Sequence, residues 1–597
     1  MDTSQPSRKP ETQQRAPRHR QWLHHRLDDF RHQLAHSDAL PQLTLLGGLV
    51  GVAAALIIVA FRFLIEYPIS PFLEGSSENF ESLSPVARLL LAAGGGLLIG
   101  VFLHFVPPAM RSISVGHVID RLHNHQSKLP AGNFLVQFVG GVLCLLSGQS
   151  VGREGPAVHL GAATASQLGQ WLKLPHNSLR TLAGCGVAAA ISASFNTPMA
   201  GVIFAMEVVL MEYTIIGFIP VILASVSGAI ITQIVFGPEP AFSIDPMQMT
   251  SLWELPYMAG SALIVALFGA AYIRLQLTFH QYKHWPVMAR CTLAGLFTGT
   301  VAFFLPQVMG IGYDTVEQAM GGELAIGLLI TIALAKTLVT TASTGLGLPG
   351  GLIGPLFMIG ACLGGAIGIT GQALFPESTA TPNFYVMLGM GAMMASALNA
   401  PLAALMAVVE LTYNPNIIFP TMLVIVVACV TVRHVFKCDG IFIELLNANN
   451  TPIHHAPLRQ ALSREAVRSL MNTNFINLGY RLSHNDLRIK LEQHPQWVVS
   501  QELGETKYLL PAADIAHYLD NAPDDILSGV EAIDLREIPS RRFELKPINQ
   551  QASLLEAQRR LLQEDVDALF VEQLAPPLQS PVLGIITPDM LENFYKV

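Results

Sequence analysis

The strongest constraint on this 597-residue chain is how unevenly it carries charge. Residues 41–430 hold 12 Lys/Arg and 16 Asp/Glu, or 28 charged side chains in 390 positions. Residues 451–597 hold 14 and 20, or 34 in 147. The second density is close to the roughly 25% of an ordinary water-soluble domain, and the first is far below it. A charged side chain at the centre of a bilayer is costly, so a long stretch that avoids charge reads as a membrane domain followed by a soluble one. The hydrophobic fraction of 51% excludes a disordered chain, and a net charge of −8 lacks the basic footprint of a nucleic-acid binder. The six cysteines (Cys144, Cys185, Cys291, Cys362, Cys429, Cys438) lie far apart in or beside the apolar block. They have no metal-ligand spacing and read as buried thiols.

Residues 1–40 are polar and carry seven basic side chains with no apolar run of a signal peptide. A basic segment before the first apolar stretch predicts a cytoplasmic N-terminus. Long apolar stretches follow near 41–65, 86–107, 214–236, 256–278, 288–312, 325–342, 384–396 and 416–436. Crossing the hydrocarbon core takes about 20 residues. Pieces broken by Gly and Pro, at 132–147, 155–170, 181–192, 198–212, 351–372 and 400–412, read as too short to span. Irregular backbone at membrane depth needs cover from protein or an aqueous cavity, so these pieces mark the ligand path.

The chain repeats itself. Gly152-Arg153-Glu154-Gly155-Pro156 has a counterpart in Gly351-Leu352-Ile353-Gly354-Pro355, and Gly-Ala follows each proline at the same distance, at Gly161 and Gly360. Asn196-Thr-Pro198-Met-Ala200 with Glu207 matches Asn399-Ala-Pro401-Leu-Ala403 with Glu410. Two blocks in the same order predict two homologous halves, about 41–240 and 250–446, with a transport site where they meet. The expected fold is an all-α polytopic membrane domain of two inverted halves with broken helices, followed by a C-terminal α/β domain.

An arginine and a carboxylate inside a charge-poor membrane block are functional candidates by default. The glycines around Glu154 let backbone N–H groups approach a ligand, and Pro156 suits the first turn of a helix. A helix N-terminus offers unsatisfied donors and partial positive charge to an anion. The segment 351–356 offers the same chemistry without charge. Two such starts converging from two halves describe an anion pathway, and a carboxylate at one of them can act as a tethered competitor.

The stretch Ser147-Gly-Gln-Ser-Val-Gly152-Arg-Glu-Gly-Pro-Ala-Val-His-Leu-Gly161 resembles the signature of the CLC chloride channels and anion/proton antiporters. Leu348-Pro-Gly-Gly-Leu-Ile-Gly-Pro355 resembles that family's second anion-binding loop, and Phe195-Asn-Thr-Pro-Met-Ala-Gly201 its characteristic turn. The resemblance covers roughly 41–446. It implies a homodimer with a pore in each subunit and Glu154 as the external gate. The N–H groups of Leu352 and Ile353 would cradle chloride or a related monovalent anion, with Arg153 and Gly155 beside it.

Three positions depart from the family. The serine stretch appears as Ser112-Ile113-Ser114-Val115-Gly116, so Ile113 stands where Ser or Pro is expected. Whether Ser112 or Ser114 supplies the hydroxyl in a shifted register stays open. The pore tyrosine corresponds to Phe442. Each missing neutral hydrogen bond removes about 0.5–1.5 kcal/mol, so the site is expected to hold chloride weakly or prefer another anion. The internal proton glutamate of the antiporters aligns with Val208, as in the channel branch. Glu207 reads as structural, like Glu410. Glu212, one turn beyond Val208 on a continuing helix, is the candidate for a displaced proton donor.

The tail resembles paired CBS domains, about 457–519 and 538–597, each ending strand, turn, short helix. The family's nucleotide pattern is Thr or Ser followed three residues later by Asp. Asp514 lacks the hydroxyl partner, and Asp589 comes one place early after Thr587. No cofactor is therefore expected, adenine nucleotide at the tail is not favoured, and a dimerising or gating-coupled module is the preferred reading. Nothing resembles a catalytic constellation or a metal cluster, so the chain reads as no enzyme. The expectation is a gated, uncoupled anion pathway in the cell (inner) membrane, with both termini cytoplasmic. The rivals are a proton antiporter using Glu212 and a membrane anion sensor signalling through its tail.

Overall fold

The computed structural model describes residues 39–73, 78–238, 242, 247–376, 379–453, 457–500, 507–521, 532–572 and 582–594. The basic N-terminal segment lies outside them, apart from its last two residues. The chain forms two compact units, one over Leu40–Gln460 apart from 173–175, the other from Ala461 onward.

The first half of the membrane unit comprises α1 (Leu40–Ile69), α2 (Pro85–Phe105), α3 (Ser114–Asn124), α4 (Ala131–Leu146), α5 (Glu154–Trp171), α6 (His176–Phe195), α7 (Pro198–Phe204) and α8 (Ile215–Phe236). The second comprises α9 (Leu255–His280), α10 (Val287–Phe304), α11 (Tyr313–Met320), α12 (Ile326–Gly345), α13 (Ile353–Leu374), α14 (Pro382–Leu398), α15 (Pro401–Thr412), α16 (Ile418–Val430) and α17 (Ile441–Ala448). Among the described residues nine helices are long and apolar enough to cross a membrane. Two of them correct the sequence reading. The pieces at 181–192 and 351–372 belong to α6 and α13, of 20 and 22 residues. Their glycines are packing devices of helices enclosed by protein, because α6 and α13 are 83% buried.

The repeat is visible in the packing. A Cβ at Gly161 of α5 would lie 2.2 Å from the carbonyl oxygen of Gly186 of α6, and one at Gly360 of α13 would lie 2.3 Å from that of Gly389 of α14. The same glycine-on-glycine crossing therefore occurs in both halves. Where the halves meet, contacts are reciprocal. The Glu410 carboxylate accepts from the N–H groups of Met199 (2.8 Å) and Ala200 (2.7 Å), opening α7. The Glu207 carboxylate accepts from Leu402 (3.2 Å) and Ala403 (2.6 Å), opening α15. Mutual exchange of equivalent contacts is the mark of a two-fold relation. Gly152 and Gly351 likewise exchange N–H···O bonds of 2.7 Å as an antiparallel bridge, so equivalent segments run in opposite directions where they cross.

The second unit holds α18 (Pro457–Arg464), α19 (Val467–Leu470), β1 (Phe475–Leu478), β2 (Arg481–Leu482), α20 (His484–Leu491), β3 (Trp497–Ser500), β4 (Tyr508–Pro511), α21 (Ala512–Asn521), β5 (Ile533–Asp534), β6 (Phe543–Asn549), α22 (Leu554–Glu564), β7 (Ala568–Glu572), β8 (Val582–Ile586) and α23 (Pro588–Phe594). Its main sheet runs β1-β3-β4-β6-β7-β8. Each half has one parallel pair (β1/β3, β6/β7) followed by one antiparallel pair (β3/β4, β7/β8), and β4 joins β6 through Tyr508–Glu544 and Leu509–Phe543. The opening helices cross over. Val467 donates to the Ala552 carbonyl (2.8 Å), and Leu462 and Val467 pack with Ile548, Leu554 and Leu569 of the second half.

Candidate functional site

The centre of the membrane unit is the crossing of two helix starts. Glu154 is the first residue of α5, Ile353 the first of α13, and each helix carries proline two positions later. Glu154 is only 1% exposed, and its Oε1 accepts from the Gly354 N–H at 2.8 Å. Its Oε2 has no hydrogen-bond partner among the described residues. Glycine makes the seat: a Cβ at Gly152, Gly351 or Gly354 would lie 1.8, 2.7 or 3.0 Å from a carboxylate oxygen. The carboxylate thus occupies the N-terminus of α13, where donors and the macrodipole favour negative charge. The N–H groups of Leu352 and Ile353 donate to no acceptor among the described residues. The donor that meets the carboxylate is Gly354, one place beyond the pair named from sequence.

An open vestibule leads toward this crossing, lined by Ser112, Ile113, Ser114, Leu352 and Phe442 among others. Five of the sequence candidates therefore share one space. Ile353 and Glu154 line a separate, small apolar cavity with Phe195, Phe204 and Phe357. The start of α13 has Leu352 facing one space and Ile353 the other, with the carboxylate on that boundary.

The structure distinguishes the two serines. Ser112 is exposed, while the Ser114 Oγ lies 2.9 Å from where a Cβ on Gly155 would stand. Ser114 has φ +70°, a left-handed conformation held by its N–H donating to Gln137 Oε1 at 2.6 Å. The Asn133 amide also donates to the Ser112 carbonyl at 2.8 Å, and the Gln137 amide to that of Pro349 at 3.3 Å. These two α4 amides fix the loop, and nothing in its own sequence announces them. Ile113 is half-buried, packing against the core on one side and lining the vestibule on the other.

Arg153 does not line the vestibule. It lines a small cavity with Arg62, Glu66 and Glu78. Its guanidinium lies 3.6 Å from Glu66 and 4.8 Å over the Phe195 ring. The inference about Glu212 also fails on local geometry. After α7 the backbone widens into a π-helical turn, Ala205–Leu210, and Met211 is left-handed (φ +55°), so no regular turn carries Glu212 onto the face of Val208. The Glu212 carboxylate instead pairs with Arg180 at 3.7 Å, and Val208 is buried.

Sequence reasoning missed three features. The vestibule rim carries Arg111, Lys283 and Arg290. His117 and His159 stack with Nδ1 and Nε2 2.9 Å apart, joining α3 to α5 at the vestibule wall. Lys336, wholly buried on α12, donates to the carbonyls of Val308 (3.0 Å), Met309 (3.3 Å) and Gly310 (2.8 Å). In the tail, Asp514 accepts from the Ser540 hydroxyl at 2.7 Å, Thr587 is buried and Asp589 exposed. No hydrogen bond or ion pair among the described residues joins Asp514 to the other two. Nor does any His, Cys, Asp and Glu grouping there suit a metal ion.

Two inverted halves that bring two helix starts together at the end of a vestibule define a transmembrane anion-transport domain. The chain belongs to the voltage-gated chloride channel family, CLC, whose model matches residues 95–433. It is 29% identical over 416 residues (68% of this chain, 96% of the relative) to the "Putative chloride channel protein ClcB-like" of Ralstonia nicotianae. In fold it resembles a slow cyanobacterial Cl⁻/H⁺ antiporter (TM-score 0.61, 22% identity, 68% of this chain and 97% of that one). It also resembles a eukaryotic CLC transporter over 92% of this chain and 97% of that one (TM-score 0.57, 17% identity).

Proposed function

We propose that this protein passes chloride or a related monovalent anion through a pathway in each subunit of a homodimer, gated by Glu154, without obligatory proton coupling. The observation that carries the reading is the Glu154 carboxylate on the α13 N-terminus, between the vestibule and the apolar cavity. An anion arriving from the vestibule competes for the same donors, and protonation of Glu154 removes the charge that holds it there. Lower pH therefore favours opening. Uncoupled passage is supported by buried, apolar Val208 and by the pairing of Glu212 with Arg180. The basic side chains Arg111, Lys283 and Arg290 of its lining support a vestibule that faces the cytoplasm, by the positive-inside rule. Lys283 also donates to the Ala448 carbonyl at 3.1 Å, so the end of α17 lies beside these basic side chains. The tail is read as a CBS-like pair that binds no nucleotide.

One observation favours coupled exchange as the second reading: the stacked His117–His159 pair places protonatable nitrogens between the vestibule wall and α5. Liposomes holding the purified protein separate the two readings when anion efflux and internal pH are recorded together under a clamped counter-ion. Efflux with no proton movement is expected. Proton uptake against its gradient, driven by the anion, would establish exchange, and anion binding without flux would leave the sensor reading.

A further inference from the structure

We propose that His117 and His159 form a proton relay between the vestibule and Glu154, so that the proton which frees the carboxylate enters and leaves on the vestibule side. The proposal rests on the reading that Glu154 gates the pathway. It sets the route of the gating proton and does not oblige each anion to carry one.

The hydrogen bonds give the chain a direction. Arg121 Nε donates to His117 Nε2 at 3.2 Å. A guanidinium cannot accept, so His117 Nε2 is the bare nitrogen of a neutral ring and Nδ1 carries the hydrogen. His159 Nε2, 2.9 Å from that Nδ1, therefore accepts, and the hydrogen of the second ring sits on His159 Nδ1. His159 is 0% exposed, and its Nδ1 has no partner among the described residues. An unmet buried donor thus stands at the inner end of the chain. Glu154 Oε2 is an unmet buried acceptor five residues earlier on the same helix, a rise of about 7.5 Å. Gly155 lies one turn from His159 on one face of α5, and the Ser114 Oγ lies 2.9 Å from where a Cβ on Gly155 would stand. Ser114 in turn lies one turn from His117 on α3. The imidazole pair is thus the second layer of the α3–α5 contact, behind the layer that holds Ser114 and the gate. At the outer end His117 lines the vestibule.

A proton from the vestibule binds His117 Nε2 in place of the Arg121 bond, the Nδ1 proton passes to His159 Nε2, and the His159 Nδ1 proton leaves toward Glu154 Oε2. One proton enters, one leaves, and both rings end neutral with their hydrogens exchanged; its return by the same route restores them. The charged and titratable groups that act on His117 are Arg121, Asp120 and His125, with Asp120 itself held by His125 at 3.3 Å, and His159 has only His117 among the described residues. The elements packed against α3 and α5 engage their charges elsewhere: Glu207 caps α15, Arg180 pairs with Glu212, Glu444 accepts from the Asp439 N–H, and Arg62 pairs with Glu66.

The test is electrical recording from the full-length protein in planar bilayers, with pH stepped on one face at a time and melting temperature measured alongside. A thiol reagent acting on Ser112→Cys, in the exposed vestibule lining, marks which face is which. In wild type the current is expected to rise promptly after an acid step on the vestibule face. In His117→Gln and His159→Gln, which keep a hydrogen-bonding group but pass no proton onward, that rise is expected to slow about 100-fold while the steady current at each pH stays as in wild type. A relay changes the rate of reaching equilibrium, whereas a structural role shifts the steady current or the melting temperature. Arg121→Ala, which keeps both rings and clears the outer nitrogen, is expected to quicken the rise. Wild-type speed in both histidine variants, with or without a shifted steady current, would overturn the relay. So would slowing in Arg121→Ala, or a wild type that responds only to the opposite face. A Glu154→Gln variant that still answers the acid step brings down the gate reading and the relay with it, whereas a flat Glu154→Gln beside fast histidine variants removes the relay alone.

Discussion

Gly152→Ala should open the pathway by eviction. An ideal Cβ at Gly152 would stand 1.8 Å from Glu154 Oε2, 2.8 Å from its Cδ and 3.0 Å from Oε1, and these are its three nearest atoms. All belong to one side chain that can rotate away. The bonds that hold the crossing, between the backbone groups of Gly152 and Gly351, survive because alanine keeps the same N–H and C=O. Eviction forfeits the 2.8 Å bond from the Gly354 N–H. A hydrogen bond to a charged group is worth about 1.5–3 kcal/mol, so the ratio of seated to unseated carboxylate should fall roughly 10- to 150-fold. In a liposome efflux assay at neutral pH, Gly152→Ala should approach Glu154→Ala in rate and lose its acceleration by acid. Adding it to Glu154→Ala should change nothing further, since the atoms it displaces are gone. A folded Gly152→Ala that stays closed at neutral pH and opens with acid as wild type does would refute the seat.

Gly351→Ala should behave differently, because its Cβ would meet the backbone nitrogen of Gly155 at 2.4 Å; loss of transport with lowered thermal stability in detergent is expected. Glu207→Ala and Glu410→Ala each leave two helix-opening N–H groups without a carboxylate, so thermal unfolding should show similar destabilisation of about 2–4 kcal/mol for both. A large loss in only one would break the two-fold equivalence. In the tail, Arg536 holds the Asp534 carboxyl well below the usual carboxylate range, with help from Arg481 across the β2–β5 pair. A lowered carboxylate pKa contributes stability above the unfolded value of about 3.9 and loses it as pH falls below that. The melting-temperature gap between wild type and Asp534→Asn should therefore narrow in acid.

The paired motifs at 152–156 and 351–355 revealed the two helix starts because glycine and proline constrain backbone locally, and local constraints are written in sequence. The expected inversion is not a local constraint; it shows in the mutual Gly152–Gly351 bonds and the exchanged glutamate caps, which are contacts about 200 residues apart. Glu212 was misplaced because its assignment assumed regular 3.6-residue periodicity through a segment that forms a π turn. The serine register depended on Asn133 and Gln137, which share no pattern with the loop they hold. The His117–His159 pair needed α3 and α5 to meet. In the tail, the closing strand and short helix expected of each module appear as β4 with α21 and β8 with α23, whereas β6, with Pro547 inside it, carries a weak strand signature.

The central claim is that the Glu154 carboxylate closes the pathway by holding the donors an anion needs. Chloride efflux from liposomes, measured for wild type and Glu154→Gln across a series of pH values, tests it most directly. The account predicts wild-type efflux that rises as pH falls, and a Glu154→Gln variant that is open and flat across the whole range. A Glu154→Gln variant that remains tightly pH-gated would contradict it.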